Sequence, residues 1–430
     1  MSSSLKIAIA GLGTVGSGVM KILADKQEIL HKKTGKKIEI IAVSARDKNK
    51  ARDINLSHIK WCDNALELAE IPEAEAIIEL IGGAEGISKE LAFKAIKNKK
   101  HYVTANKALL SKYGVELAKL AEENNLYLQF EASVAGGIPV IKTIKEALLG
   151  NKISKISAIL NGTCNFILSS MFLENKSFED ALLEAQKLGY AEADPSFDID
   201  GIDASHKLSI LSALAYSIKP DVNSIYVEGI RNISLKDIKY ALQFGFRIRL
   251  IATSLTRENG FIEQRVHPSL VALSHEMAYV DGVLGAVKLE CDALGPLYLE
   301  GAGAGMMQTA SAVVADICDI ARGNFSYPFS SPASNLSDAK YSSIEDHEGE
   351  FYLRFSVKDE DGVLSSITSI FSNNSVGFEK IHQQSAGNQQ SADVVFMTRN
   401  EKEKAILSSL KEIQKQNYLL EKPVMIRVER

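Results

Sequence analysis

LKIAIAGLGTVG, residues Leu5 to Gly16, joins a short apolar run to a glycine-rich turn, and a helical pattern follows from Ser17 to Leu30. A strand, a GxGxxG turn and a helix in that order form the dinucleotide-binding context. Gly11 and Gly13 allow the tight turn and a close approach of backbone to a pyrophosphate. The helix N-terminus that follows supplies N–H donors and the positive end of its dipole.

Working outward, a lysine-rich excursion from His31 to Lys37 reads as a solvated loop before a second strand, Ile38 to Ser44. At that strand's end an NAD site usually offers an acidic residue to the ribose hydroxyls, but here the chain reads Ser44-Ala45-Arg46-Asp47. Arg46 can pair with a 2′-phosphate and Ser44 can hydrogen-bond to it, while Lys48 and Lys50 add positive charge. NADP is favoured, and Asp47 leaves NAD open. Further strands at Ala76 to Ile81 and His101 to Thr104 end in Ile81-Gly82-Gly83 and Thr104-Ala105-Asn106-Lys107. Ligands bind at the carboxyl ends of parallel strands, which places Thr104, Asn106 and Lys107 at the crevice. A cation is unfavourable in the first turn of a helix such as Ala108 to Asn124, so Lys107 calls for a function. A strand at Leu126 to Phe130 leads to Glu131 and the turn through Val134, Gly136 and Ile138. That pattern fits either a hard cation held by oxygens or a plain turn.

The chain has 430 residues and a formal net charge of −5, enough for two or three domains and too little charge to favour nucleic acid or an anionic membrane. Cys62, Cys164, Cys291 and Cys318 are scattered without metal-ligand spacing, which suits free thiols in a reducing compartment. No signal-peptide core precedes Leu5 and no apolar run approaches the ~20 residues of a membrane span, so a cytoplasmic location is expected.

From about 137 to 302, strands at Ile153 to Leu160, Arg247 to Ser254, Phe261 to Val266 and Gly285 to Glu290 alternate with helices near Asn165 to Leu173, Phe178 to Leu188 and Gly201 to Ser217. The pattern reads as an α+β substrate or dimerisation domain. Within it lies GYAEADPSFDIDGIDASHKLSIL, Gly189 to Leu211, where Glu192, Asp194, Asp198, Asp200 and Asp203 cluster and Lys207 follows Asp203 by one helical turn. The cluster suits a substrate with an ammonium group beside a reacting oxygen, and it also reads as a solvated acidic loop capping a helix. Asn161-Gly162-Thr163 ends a strand that could face the same cleft. Gly301, Gly303 and Gly305 then precede an apolar helix, which would return at about 303–325 to complete the 1–136 domain.

Residues 326–349 are rich in Ser, Pro and Asn and read as a linker. After them, 350–430 shows the order βαββαβ of a ferredoxin-like module carrying none of the proposed chemistry, as a regulatory or assembly domain would.

AGLGTVG, TANKALL, FEASVAGGIPV, LNGTCNFI, the carboxylate stretch and GAGAGMMQTASAVVADI together resemble the homoserine dehydrogenase family from Leu5 through Arg322, and the tail resembles an ACT ligand-binding module. The resemblance implies a Rossmann-type domain, a substrate domain and an ACT domain in an α/β protein, in the single-activity form without an amino-acid kinase segment. It implies reversible reduction of L-aspartate 4-semialdehyde to L-homoserine by NADPH or NADH, towards threonine, methionine and isoleucine. Gly11, Gly13, Thr14, Val15 and Gly16 match the family's pyrophosphate turn, and Gly305 a cofactor-contacting glycine. Lys107 and Lys207 match two lysines that flank the reacting oxygen; Gly189, Glu192, Asp198 and Asp203 lie on the substrate side. Glu131, Val134, Gly136 and Ile138 match a monovalent cation site (Na+ or K+) built mostly from backbone carbonyls. Phe197 departs from the pattern where relatives carry a second acidic residue. Lys207 is expected to donate the proton with Asp203 orienting it, and Lys107 to polarise the carbonyl or contact the cofactor. Asp194 and Asp200 receive no role beyond loop and cap. Threonine is the expected effector, and a homodimer or homotetramer the expected assembly.

Two other classes compete. A nucleotide-gated amino-acid sensor would use the same modules without chemistry, but has no need of Lys107 and Lys207. An ACT-bearing hydroxy-acid dehydrogenase would pair a histidine with a carboxylate, whereas His101, His206 and His267 are read as lying outside the glycine and carboxylate motifs.

Overall fold

A computed structural model of the chain describes residues 4–50, 52, 55–385 and 391–430. The chain folds as two compact units, one of Met1–Gly162, Asp203–Ile225 and Val283–Ala339, the other of Thr163–Ile202, Tyr226–Gly282 and Lys340–Arg430.

The first unit is built on six parallel strands in the order Lys60–Cys62, Lys37–Ser44, Ser4–Ala10, Ala76–Glu79, His101–Thr104, Leu128–Gln129. This is the doubly wound nucleotide-binding order, and it reverses between Ser4–Ala10 and Ala76–Glu79, where a crevice opens at the carboxyl ends. Ile7, Ile9, Ile77, Ile78 and Val103 are fully buried, as expected of parallel strands covered on both faces. Helix Met306–Arg322 packs on helix Thr14–Asp25, and Val313, Ile317 and Ile320 join the same core as Ile7, Val19 and Ile22. A Cβ on Gly18 would sit 2.9 Å from the Met306 carbonyl oxygen, so this crossing needs its glycine.

Of the excursion expected as a loop from His31 to Lys37, the part as far as Thr34 is the last turn of a helix, Gln27–Thr34. It buries no residue, so it carries no apolar stripe to reveal it. Basic residues in its last turn and a left-handed Gly35 at its end stabilise it instead.

Strands Ile153–Ile159, Leu284–Cys291 and Gly295–Ala302 form an antiparallel group that also belongs to the first unit. The span expected as one substrate domain, 137–302, therefore contributes to both units: sequence-distant strands pair within the first, which also takes Asp203–Ile225, while Thr163–Ile202 and Tyr226–Gly282 fold into the second. The Ser/Pro/Asn-rich stretch is packed as far as Ala339. Phe329 is fully buried, its ring 5.4 Å from that of Phe130, and a Cβ on Gly114 would approach it to 2.9 Å.

In the second unit a long hairpin, Phe246–Thr256 with Ile262–Ala272, accepts the C-terminal strand Val424–Glu429 alongside Ile262–Ala272 in parallel. Val424–Glu429 then pairs antiparallel with Phe351–Lys358, followed by Ser391–Thr398 and Phe378–Ser385. With helices Val363–Asn373 and Glu403–Ile413 this is the ferredoxin-like βαββαβ arrangement over a Phe-rich core of Phe351, Phe355, Phe371 and Phe396. Residues 386–390 of that stretch lie outside the described residues. The tail is thus joined to the hairpin by main-chain hydrogen bonds. Among the described residues no helix is long and apolar enough to cross a membrane.

Candidate active site

The glycine turn is built for close approach. Gly11 has φ +98°, and a Cβ there would lie 2.5 Å from the Leu80 carbonyl oxygen. A Cβ on Gly16 would meet the Gly11 carbonyl oxygen at 2.0 Å, whereas one on Gly13 would meet nothing within 4 Å. Two glycines close the turn, and the third leaves open space above helix Thr14–Asp25, whose first turn carries no acidic residue. That geometry fits a pyrophosphate. A cavity of about 570 Å³ opens beside it, lined among others by Gly13, Ser44, Arg46, Lys50, Arg52 and Ile81. Gly16→Ala is expected to cost about 2 kcal/mol of stability through overpacking. A melting curve and an NADPH titration check this; unchanged cofactor affinity would dissociate the turn from pyrophosphate binding.

Arg46 lies exposed on the cavity wall. Arg52 escaped the sequence reading, yet its guanidinium donates to the carbonyls of Leu12 at 3.3 Å, Lys50 at 3.0 Å and Asp47 at 2.7 Å. It ties the loop after the second strand to the glycine turn. The Asp47 carboxylate faces its own loop and accepts the N–H groups of Asn49 at 2.8 Å and Lys50 at 3.2 Å.

A second unforeseen residue sets the neighbouring strand ends. Glu79 is fully buried and accepts the N–H groups of Ile81 (2.6 Å) and Gly82 (3.1 Å) and the Thr104 hydroxyl (2.6 Å). Thr104 Oγ1 in turn accepts the Asn106 N–H at 2.9 Å. Asn106 caps helix Lys107–Glu123 through the Leu109 N–H and donates to the Gly83 carbonyl. This chain of bonds fixes where Lys107 starts its helix. A carboxylate ending an apolar strand was the only signal for Glu79.

Lys107 Nζ lies 2.7 Å from Asp203 Oδ1, and Lys207 Nζ lies 2.7 Å from Asp203 Oδ2. Asn161 donates to Asp203 Oδ2 at 2.9 Å, and Lys207 also donates to the Leu160 carbonyl at 2.8 Å. Asp203 and Lys207 come from one face of helix Ile202–Tyr216, Lys107 from the parallel-sheet crevice, and Asn161 from the end of strand Ile153–Ile159. The side chain of Asp203 is 5% exposed, that of Lys207 13% and that of Lys107 31%, so the carboxylate is the dry centre and Lys107 its wetter edge. Burial opposes ionisation of Asp203, but the Lys207 and Lys107 ammonium groups outweigh it and hold the carboxyl well below the usual range. His206 is closer to this group than the sequence placed it. Burial first, and then Lys107, lowers its pKa, and its Nδ1 lies 2.8 Å from Ser111 Oγ.

The remaining carboxylates of the stretch belong to the second unit. Helix Phe178–Lys187 runs out into Gly189 at φ +75°, and the following loop is tied back by the Thr163 hydroxyl on the Tyr190 carbonyl at 2.7 Å. Glu192 is exposed. Asp198 is half-buried on the short helical turn Ser196–Ile199, and Asp194 Oδ1, just before that turn, accepts the Ser196 N–H at 3.1 Å. Phe197 is 43% exposed.

Around the expected cation turn, both Glu131 oxygens accept main-chain N–H groups, from Ile141 at 3.0 Å and Lys142 at 2.7 Å. The Glu131 N–H donates to Asp316, and burial with Asp316 nearby pushes the Glu131 carboxyl up to about 7. Burial pushes Asp316 up to about 6, against the opposing pull of Lys142. Val134, Gly136 and Ile138 follow in a turn with left-handed Ala135 and Gly136, and a Cβ on Gly136 would meet the Gly303 carbonyl oxygen at 2.4 Å. The late glycine segment therefore packs against this turn, with Gly305 at φ +131° opening helix Met306–Arg322. Both Glu131 oxygens are thus committed to main-chain N–H groups, and within the turn the Ile138 carbonyl accepts the Val140 N–H at 2.8 Å. Among the described residues no group of three or more His, Cys, Asp or Glu could hold a metal.

Residues 11–131 match the family model for the homoserine dehydrogenase NAD binding domain, and residues 139–318 match that for homoserine dehydrogenase. A homoserine dehydrogenase of Neisseria gonorrhoeae is 43% identical over 99% of this chain and 98% of its own length. The chain belongs to the homoserine dehydrogenase family. Another homoserine dehydrogenase, from Pseudomonas aeruginosa, is 40% identical over 99% of each chain. The crystal structure of a homoserine dehydrogenase from Thiobacillus denitrificans superposes with a TM-score of 0.93 at 38% identity, covering 99% of this chain and 98% of that one. A hyperthermophilic archaeal homoserine dehydrogenase in complex with NADPH matches with a TM-score of 0.65 at 30% identity, covering 75% of this chain and 99% of its own. As a homoserine dehydrogenase, this oxidoreductase interconverts aspartate semialdehyde and homoserine with a nicotinamide cofactor. Of the positions that the sequence resemblance assigns to the chemistry, the structure groups Lys107, Asp203 and Lys207 on one carboxylate. Gly189, Glu192 and Asp198 belong to the second unit.

Proposed function

We propose that this enzyme reduces L-aspartate 4-semialdehyde with NADPH in preference to NADH, and that Lys207 delivers the proton to the reacting oxygen. The observation that carries the reading is one buried carboxylate, Asp203, bridging two ammonium groups at 2.7 Å each. When bound, the nicotinamide supplies the hydride, leaving the protein to position the substrate and manage charge. An ammonium group has three N–H donors, and Lys207 directs two of them to Asp203 and the Leu160 carbonyl. The third serves the substrate oxygen, where negative charge develops as the carbonyl is reduced. Asp203 offsets the repulsion between the lysines, so Lys107 can stand near the same oxygen and polarise it. Glu192 and Asp198 are assigned to the substrate's ammonium group. Following NADPH absorbance with aspartate semialdehyde tests the activity; no substrate-dependent oxidation would reject the reading.

The preference for NADPH rests on Arg46, Lys50 and Arg52 around the ribose end of the cavity and on Asp47 being committed to its loop. A charge-assisted contact to phosphate is worth about 1.5–3 kcal/mol, so Arg46→Ala should raise the NADPH KM roughly tenfold or more and leave the NADH KM unchanged. Equal changes for both cofactors would remove Arg46 from phosphate recognition.

Glu131, Val134, Gly136 and Ile138 are assigned to a monovalent cation, Na+ or K+. The 350–430 module is read as an ACT domain with threonine as effector, in a cytoplasmic homodimer or homotetramer. Its support is the ferredoxin-like strand order and the main-chain pairing of Ser269 with Arg427, which joins any movement of the module to the hairpin. Threonine at 100 times its Kd would add about 2.7 kcal/mol to stability. Its failure to shift either rate or melting midpoint would discard it as effector.

A further inference from the structure

We infer that Gly229, Ile230 and Arg231 form a positioning element for the turn carrying Asp198, with the Arg231 guanidinium clamping both ends of that turn. The inference rests on the assignment of Asp198 to the substrate. Ser196–Ile199 is a single helical turn between Pro195 and a left-handed Gly201, and one turn does not hold itself. Its placement must come from contacts made by other segments. Arg231 forms a forked ion pair with Asp200, reaching Oδ2 at 3.0 Å, and the same guanidinium donates to Ser196 Oγ at 2.9 Å. One planar group thereby spans the turn with Asp198 between its two attachments. The backbone is seized as well. Ile230 N–H donates to the Ile199 carbonyl at 2.8 Å, and the Cys164 thiol donates to the Asp198 carbonyl at 3.2 Å. A Cβ on Gly229 would lie 2.2 Å from the Ile199 oxygen and 2.5 Å from Asp200 Cα, so only glycine admits this contact.

Asp200, which the sequence left without a role, is then the handle by which the turn is held. The Arg231 and Asp200 side chains are 46% and 38% exposed, so as a simple surface ion pair they would add little to stability. A positioning role shows instead in substrate binding. In the full-length enzyme oxidising homoserine with NADP+, Arg231→Ala should raise the homoserine KM about tenfold while kcat and the NADP+ KM stay within about twofold, the signature of lost binding alone. Arg231→Lys should recover only part of the affinity, because an ammonium group cannot fork to both ends of the turn. Asp200→Ala should reproduce Arg231→Ala, and the double variant should be no worse than either single one. The proposal is overturned if Arg231→Ala leaves the homoserine KM within about twofold while Asp198→Asn raises it tenfold, or if both KM values rise together with a fallen melting midpoint. A normal KM in Asp198→Asn would reject the substrate assignment itself, and the positioning role with it.

Discussion

Lys207→Ala is expected to lower kcat by about 10²–10⁴, the range that a positioned proton donor contributes, while NADPH binding stays near normal. The expectation follows from where Lys207 is held. Its ammonium group is drawn inward by Leu160 and Asp203, and its side chain is only 13% exposed. Water is therefore a poor substitute at the atom where the proton is needed. Lys107 cannot fill the gap unaided, because its own short contact is with the opposite oxygen of Asp203. Arginine at position 207 should not rescue turnover, since guanidinium does not release its proton in this pH range. Single-turnover reduction of aspartate semialdehyde and a separate NADPH fluorescence titration measure the two halves. A kcat within a few-fold of wild type would take Lys207 out of the proton transfer.

Asp203→Asn should be nearly as damaging, and by a different route. An amide has one acceptor oxygen, so one of the two lysines would face an N–H₂ group, and both ammonium groups would lose their counter-charge. Removing one partner of a buried pair typically costs about 3–5 kcal/mol, and here a single carboxylate serves two cations. Both melting midpoint and kcat/KM should fall. The pH dependence has a definite sign. The folded carboxyl titrates below its ordinary value of about 3.9, so its stabilisation is present above that pH and is lost as pH falls through the lowered value. The midpoint difference between wild type and Asp203→Asn should thus be flat from about pH 5 to 8 and shrink in stronger acid. A difference that changes across neutral pH would contradict the two-lysine account of this carboxyl.

Much of the site could be read in one dimension because local chemistry marks it. Lys107 stood out as a cation at a helix start, where the dipole opposes it. Asp203 and Lys207 stood out by helical spacing, and the GLGTVG turn by its glycines between a strand and a helix. Glu79 and Arg52 left almost no trace, because each acts by reaching a segment distant in sequence: Thr104 from Glu79, Leu12 from Arg52. Asn161 was legible as a strand end facing the cleft, but its bond to Asp203 was not, for the same reason. Helix Gln27–Thr34 was hidden for a different reason, having no buried face and hence no period to detect. His206, read as an outsider, turned out to neighbour Lys107.

By itself the sequence determined the parallel nucleotide-binding sheet, the βαββαβ order of the tail and the one-turn spacing of Asp203 and Lys207. These follow from periods of a few residues and from glycine conformations, which are properties of short segments. Only the tertiary structure decided that Lys107 and Lys207 share one buried carboxylate, that the last strand, Val424–Glu429, pairs with Ile262–Ala272, and that Arg231 holds the turn of Asp198. Charge pairing and strand pairing depend on distance in space, and no local pattern encodes which remote partner will arrive.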